Sequence, residues 1–465
     1  MKKLYDDGFR GVLSLAAIEK LETVKIFDTH IHLDTAIHID MGNQSFYFEN
    51  CTFTGQRIDF SISKQKTSDY QSLQFINCAI SNDLFIKDCK LYRVEFLNVH
   101  VVSNSFHITT AEIKYISIIG SPERHSEIKS LMLNSLNSET EITDLDFRLN
   151  DIETFAIHNC AFSTIMINAN KINRLSFDKL NCNNYFQFWK NILTEFSTIK
   201  KSVINEFIGK GSIYGTELEF EQVVFKDVCR LERVPKNSKS SLTFKECTFD
   251  KSVYFDESHF YELSIIAAFF KDIVSFNSTT VSIIKFRSVH FDKVAFFNDF
   301  IILLKNLVDI GTIRIIKNQL YKTENKIDYI DYNVIEQNLL LNDKNLNLND
   351  KILLKLNKRS NNFGSSWLKA VWFTLKVSLF GFFVLLFVNT FLIDSGYKYE
   401  INLNSKWASL QEILKEWLRF TFSFDLRSYQ NYESNGFLLF VFFFFKIFIG
   451  YGVYQTIAAF RKHSK

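Results

Sequence analysis

From residue 240 onward, large apolar residues recur at every fifth position: Phe244 and Phe249, then after one extra residue Phe255, Phe260, Ile265 and Phe270. Two positions before each stand Leu242, Cys247, Val253, Ser258, Leu263 and Ala268. The same register returns at Phe286, Phe291, Phe296 and Ile301, with Ile284, Val289, Val294 and Asp299 two before. It returns again at Ile86, Leu91, Phe96 and Val101, preceded by Leu84, Cys89, Val94 and Val99. Further runs are Ile157, Phe162, Ile167, Ile172 and Phe177, and Ile108, Ile113 and Ile118. A step of five matches neither an α-helix nor an ordinary strand. It matches a chain that turns a square corner every five residues, so that four faces close a coil of about 20 residues. Coils of this kind stack through parallel strands about 4.8 Å apart, and residues 24–302 would hold up to about 13 of them. Residues 120–142 and 183–216 lose the register, so loops or helical excursions are expected there.

Other periods follow. Ile310, Ile313, Ile316 and Leu320, then Ile327, Ile330, Val334 and Leu341, are spaced as on helices, separated by Thr323-Glu324-Asn325. Residues 370–393 and 436–460 each carry a single charge, and at 1.5 Å per residue each reaches about 36 Å, enough to cross a hydrocarbon core with some tilt. Before the first span stand Lys351, Lys355, Lys358, Arg359 and Lys369 with no acid; after the second stand Arg461, Lys462 and Lys465. This asymmetry predicts that both termini are cytoplasmic. In the connecting loop, Trp407, Leu410, Leu414, Trp417 and Thr421 share helical spacing, with Lys406, Glu412, Lys415, Glu416 and Arg419 opposite. That pattern predicts an amphipathic helix lying in the membrane interface through Trp407 and Trp417; a re-entrant helix is the alternative, which would need a water-filled lining for its charges. The expected organisation is a helical N-terminal cap (1–23), a β-helix (24–302), a helical juxtamembrane coupler (303–369), a span (370–393), a loop with the amphipathic helix (394–435), a second span (436–460) and a basic tail (461–465). No signal peptide is expected ahead of the cap, because its apolar run Val12 to Ile18 lacks a small-residue cleavage site.

The five-residue runs resemble the pentapeptide-repeat family, matching its central Leu or Phe with a small residue two before. The resemblance implies a right-handed quadrilateral β-helix. The chain departs from the family's usual Ala-Asp/Asn-Leu flavour in its many Phe and Cys and in its losses of register. The segments 314–317 (RIIK), Asn325-Lys326-Ile327-Asp328, 356–367 (LNKRSNNFGSSW) and 450–462 (GYGVYQTIAAFRK) resemble the juxtamembrane and tail regions of bacterial pentapeptide-repeat membrane proteins. Those proteins carry two spans often described as ion-channel-like, and some accompany defence genes, which places this chain in a bacterial inner membrane with phage defence as one expected setting. Family members that mimic DNA do so with a strongly acidic surface; this chain has a formal net charge of +3 from 54 basic and 51 acidic residues. Nucleic acid is therefore not an expected partner.

Composition narrows the chemistry. Fifty Phe and only two Pro, at 122 and 235, with 47% hydrophobic residues, exclude a disordered chain. Seven cysteines with no CxxC pair argue against a disulfide framework or a zinc site, and five of them (51, 78, 89, 160 and 247) fall at the small position of the repeat, where they pack. Residues 28–34 (DTHIHLD) imitate the metal-binding HxH of amidohydrolases, but the repeat turns Ile31 inward and leaves His30 and His32 on the outer face, with no βα alternation to supply further ligands. Gly450-Tyr451-Gly452 imitates a potassium-channel filter, but a filter precedes the inner helix, and these glycines are better placed to let helices pack closely. Two lysines stand inside the spans, where an ionisable group is costly. Lys376 is close enough to the end of its span to snorkel. Lys446, ten residues into its span, either snorkels under strain or faces a pore or a neighbouring subunit; a ring of such lysines would favour anions. No P-loop, GxSxG, HExxH or paired carboxylates are present.

The expectation is a non-enzymatic membrane protein without cofactors. Its cytoplasmic solenoid senses or binds a protein or small-molecule trigger, and its two spans contact membrane lipids and form a homo-oligomeric channel or membrane-perturbing effector. A tethered interaction scaffold without a pore is the alternative.

Overall fold

A computed structural model describes residues 2–62, 71–136, 143–236, 239–388, 406–423 and 436–460. The outer end of the first expected span (389–393), most of the loop around the amphipathic helix and the basic tail lie outside these residues. The chain divides into two compact units, Met1–Thr323 and Glu324–Lys465.

In the first unit, one parallel sheet of 34 strands winds into a β-solenoid of about 12 coils. Four inward columns run along it. Phe244, Ile265 and Phe286 stack in one, Phe249, Phe270 and Phe291 in the second, Phe255, Phe276 and Phe297 in the third, and Phe260, Val281 and Ile302 in the fourth. Rings of successive coils lie nearly parallel: Phe225 to Phe249 is 4.8 Å between centroids, Phe249 to Phe270 4.6 Å, and Phe48 to Phe75 to Phe96 5.0 and 4.9 Å. The coil spacing of parallel strands is also the spacing of stacked rings, which explains why this core can be built from so many Phe.

The step is not uniformly five. In each of the last three coils the third face begins after six residues, from Phe249 to Phe255, Phe270 to Phe276 and Phe291 to Phe297. The expected inward positions Phe296 and Ile301 are therefore wrong: Phe297 and Ile302 are buried, while Ile301 is 51% exposed. In-register parallel stacking carries an extra residue at one corner of a coil to the same corner of the next.

Corners recur with a left-handed backbone. At one of them Asp28, Asn50, Asn77 and Asn98 all have φ near +50°, the conformation that Asn and Asp tolerate best. Later coils place Leu149, Ala169, Lys190, Gly211 and Arg233 there. The bend takes the next amide away from the strand ladder, and a side chain from the following coil satisfies it. Asn150 N donates to Asn170 Oδ1 (2.9 Å), Asn170 N to Asn191 Oδ1 (3.0 Å) and Asn191 N to Ser212 Oγ (3.1 Å), all buried.

The expected excursions do not interrupt the solenoid. Strands Lys171–Trp189, Ser197–Lys200 and Val203–Lys210 pair in parallel through 183–216. The register was hidden because inward positions there are Asn191, Ser202, Ser212 and Gly209, and because Gly209 leaves the room that the fully buried Tyr214 fills. Between 120 and 136 the departure is a tight turn at Ser121–Arg124, after which the strand Ser126–Asn134 rejoins the stack; residues 137–142 are outside the described set.

Both ends of this unit are covered. Helix α1 (Asp6–Ile18) buries Phe9 and Ala16 at the N-terminal end, beside a strand Lys2–Leu4 paired with residues 29–31. Helix α2 (Ile310–Lys322) closes the other end with Ile313, Ile316 and Leu320, while Thr312 Oγ1 accepts from Phe286 N (2.8 Å) and Gln319 Oε1 from Ala295 N (3.1 Å). Those side chains satisfy edge amides that would otherwise template further strands. The helix read as the start of a coupler is thus the cap of the solenoid.

The second unit is helical: α3 (Lys326–Leu341), α4 (Leu348–Asn361), α5 (Trp367–Phe387), α6 (Lys406–Phe422) and α7 (Gly436–Phe460). Two of these, α5 and α7, are long and apolar enough to cross a membrane.

Candidate functional site

The chemistry-bearing residues of the second unit converge inside α5, α6 and α7. Helices α5 and α7 run antiparallel: Trp367 stacks on Phe460 (4.9 Å), Thr374 backs onto Gly452 and Gly381 onto Phe445. A Cβ at Gly452 would collide with Thr374 and one at Gly381 with the Phe445 ring, so both glycines set the close approach of the pair. A side chain at Gly450 would meet nothing, and that glycine takes no part in the contact.

Helix α6 packs against this pair at about half its length. Phe420 is fully buried between Phe382 (6.0 Å) and Phe442 (5.8 Å), and the Thr421 and Ser378 hydroxyls are hydrogen-bonded. Ser378 lies near the middle of α5. The buried cluster Phe382, Leu385, Val388, Phe420, Phe442 and Ile449, with Ile413 and Trp417 against it, fills the space between the three helices. Trp417 faces inward as part of this cluster; Trp407 falls in the first turn of α6, where side chains are outside the described set.

Lys446 enters the same place from α7 and is 3% exposed. Its ammonium donates to the carbonyl oxygens of Phe420 and Ser423, the latter at 2.6 Å, and sits 5.1 and 5.2 Å from the ring centroids of Phe420 and Phe442. The Phe420 carbonyl belongs to the last turn of α6 and the Ser423 carbonyl directly follows it, at the end where the helix dipole presents negative charge. Within one chain, Lys446 is directed at the carbonyls that end α6, an arrangement that caps the C-terminus of a packed helix. Lys376 stands on the outer side of α5, exposed.

Further buried polar groups continue the line toward the other end of α7. Thr374 is 9% exposed. Beyond it Tyr451 Oη donates to Asn357 Oδ1, Asn361 Nδ2 donates to Gln455 Oε1, and Ser360 lies 3.4 Å from Tyr451 Oη. Sequence reading missed this seam. A signal existed: Ala370, Thr374, Ser378 and Gly381 form a stripe of small residues at helical spacing on an otherwise bulky helix.

The outer side of α6 differs from the expected partition. Leu410, Leu414, Leu418 and Phe422 are exposed at 58, 49, 43 and 72%, and Lys415 and Arg419 stand beside them, Arg419 paired with Glu416 at 3.2 Å. The apolar residues of α6 thus serve two faces, one inward through Trp417 and Phe420 and one outward.

In the solenoid, His30 and His32 point outward from a strand whose Thr29, Ile31 and Leu33 are buried. Both imidazoles bond Thr54 Oγ1 of the next coil (2.9 and 2.8 Å), and His32 also meets Asp34 at 3.3 Å. All seven cysteines are buried and free, and burial pushes the Cys89, Cys182 and Cys247 thiols up to about 12, out of the reactive range.

Comparisons with known protein families, with curated proteins and with solved structures find no match to this chain.

Proposed function

We propose that this chain is a membrane-anchored solenoid of the pentapeptide-repeat type, held in a bacterial inner membrane with both termini in the cytoplasm. In this reading several copies bring their α5–α7 units together around a water-filled path, and the solenoid binds a cytoplasmic partner or small-molecule trigger that controls it. Phage defence is a setting in which such a triggered effector would serve.

The observation that carries the reading is the depth and outer face of α6. Phe420 and Thr421 sit against the middle of α5, and the neighbouring Arg419, with Lys415, is turned away from the bundle. If α5 and α7 span a bilayer, these charges lie at a depth where facing lipid is costly, and a water path shared between copies is the arrangement that hydrates them. An anchor of two helices would need no third helix at that depth. The outward stripe of Leu410, Leu414, Leu418 and Phe422 offers the apolar surface for contact between copies.

The test is the mass of the full-length protein in lipid particles, followed by ion flux in liposomes. A defined assembly of several chains with measurable flux supports the pore. A monomer that persists in lipid across concentrations overturns it, and leaves the tethered scaffold.

A further inference from the structure

The inner end of α6 has the make-up of a cation site, and the protein fills it with its own side chain. We propose that the cradle formed by the Phe420 and Ser423 carbonyls and the Phe420 and Phe442 rings is a monovalent-cation site, and that the Lys446 ammonium is its tethered occupant. The cradle is built within one chain and stands whether or not copies assemble.

Three features support the assignment. The oxygens are backbone carbonyls at a helix C-terminus, where the dipole adds negative potential, and carbonyl oxygens are the ligands that replace the hydration shell of an alkali ion. The flanking groups are aromatic faces at cation–π distance, 5.1 and 5.2 Å. The group that occupies it is a single ammonium, so the site suits one positive charge. The cation that fills it is 3% exposed, so the site is enclosed and desolvated. A charge-assisted hydrogen bond lost from such a site leaves its acceptors buried and unsatisfied, which gives a diffusible cation reason to replace the missing ammonium.

The test uses the full-length protein in detergent or lipid particles, with Lys446→Ala and Lys446→Arg beside the wild type. Thermal unfolding is followed at equal ionic strength in choline, potassium and methylammonium chloride. Choline has a trimethylated head with no N–H to donate and is bulkier than an ammonium; methylammonium carries the ammonium head of lysine. The expected result is a wild type and K446R that melt at the same temperature in all three salts, and a K446A that melts lowest in choline. Potassium or methylammonium should raise the K446A midpoint by about 2 °C or more at a tenfold excess over the dissociation constant. Equal midpoints for K446A in the three salts would overturn the proposal, as would a wild type that gains as much as the variant. If K446A does not fold in choline, purification in methylammonium becomes the reading: recovery of folded protein supports the site, and no recovery overturns it. A protein that stays monomeric while its K446A variant alone shows the salt dependence would remove the pore and keep the cradle.

Discussion

Truncating one ring of the second column, Phe249→Ala, tests whether stacked phenylalanines hold the solenoid together coil by coil. Phe249 is fully buried, lies 4.8 Å from Phe225 and 4.6 Å from Phe270 with interplanar angles of 2° and 3°, and meets the edge of Phe244 at 5.4 Å. Its loss removes the ring from three neighbours and leaves a cavity that strands locked in register above and below cannot collapse into. The cost of a buried Phe→Ala change is about 3–5 kcal/mol. A solenoid is coupled mainly between adjacent coils, so the cost should appear as local opening rather than uniform loss. Amide hydrogen exchange by mass spectrometry on the full-length protein reads this directly. The ladder bonds Thr248 N to Val223 O (3.0 Å) and Phe269 N to Cys247 O (3.0 Å) flank the site, while Asn50 N to Ile76 O (2.9 Å) lies many coils away. Exchange at residues 248–270 should quicken by on the order of 10² to 10³-fold, with residues 45–62 changed by little. The adjacent Phe269→Ala, at a position 54% exposed, should cost no more than about 0.5 kcal/mol. A change below tenfold near the site, or an equal change along the whole solenoid, would refute the reasoning.

Three other outcomes are expected. Replacing Asn170 by Leu removes the acceptor of the Asn150 amide and the side-chain donors to Phe147 O and Asn191 Oδ1, and should cost about 1–3 kcal/mol in thermal or urea unfolding, because the buried Asn150 N–H loses its acceptor while Asn191 Oδ1 keeps only the Asn170 N–H. Leu149→Gly relieves a left-handed corner at φ +56° and should stabilise the solenoid by about 1 kcal/mol, seen as a higher unfolding midpoint; a loss would show that Leu149 is held by packing instead. Lys293, 2.7 Å from Asp272, holds that carboxyl below its usual range, so its contribution is present above about pH 4, the unfolded value, and is lost as pH falls through the lower folded value. Asp272→Asn should therefore lower stability at neutral pH and flatten the acid limb of the midpoint-against-pH curve; parallel curves for variant and wild type would count against it.

What the sequence by itself determined was the periodic part of the architecture. Five-residue spacing is a property of single coils, so Ile86, Phe96, Ile157, Phe244 and Phe270 could be assigned to the interior without knowing their neighbours, and the small position explained why Cys51, Cys78, Cys89, Cys160 and Cys247 are buried. The two apolar helices were equally legible, because length and the near absence of charge are local. Tertiary structure alone decided where the period bends. The extra residue before Phe297 and the asparagine column from Asn150 to Asn191 depend on what the coil above and below supplies, the asparagines in contact being 20 and 21 positions apart, while Gly209 and Tyr214, five apart, meet only because the chain turns a corner between them. It alone also decided the fate of Lys446. A charge ten residues into an apolar helix shows that some compensation exists, yet its partners are carbonyl oxygens of α6, and backbone oxygens leave no mark in an amino-acid sequence.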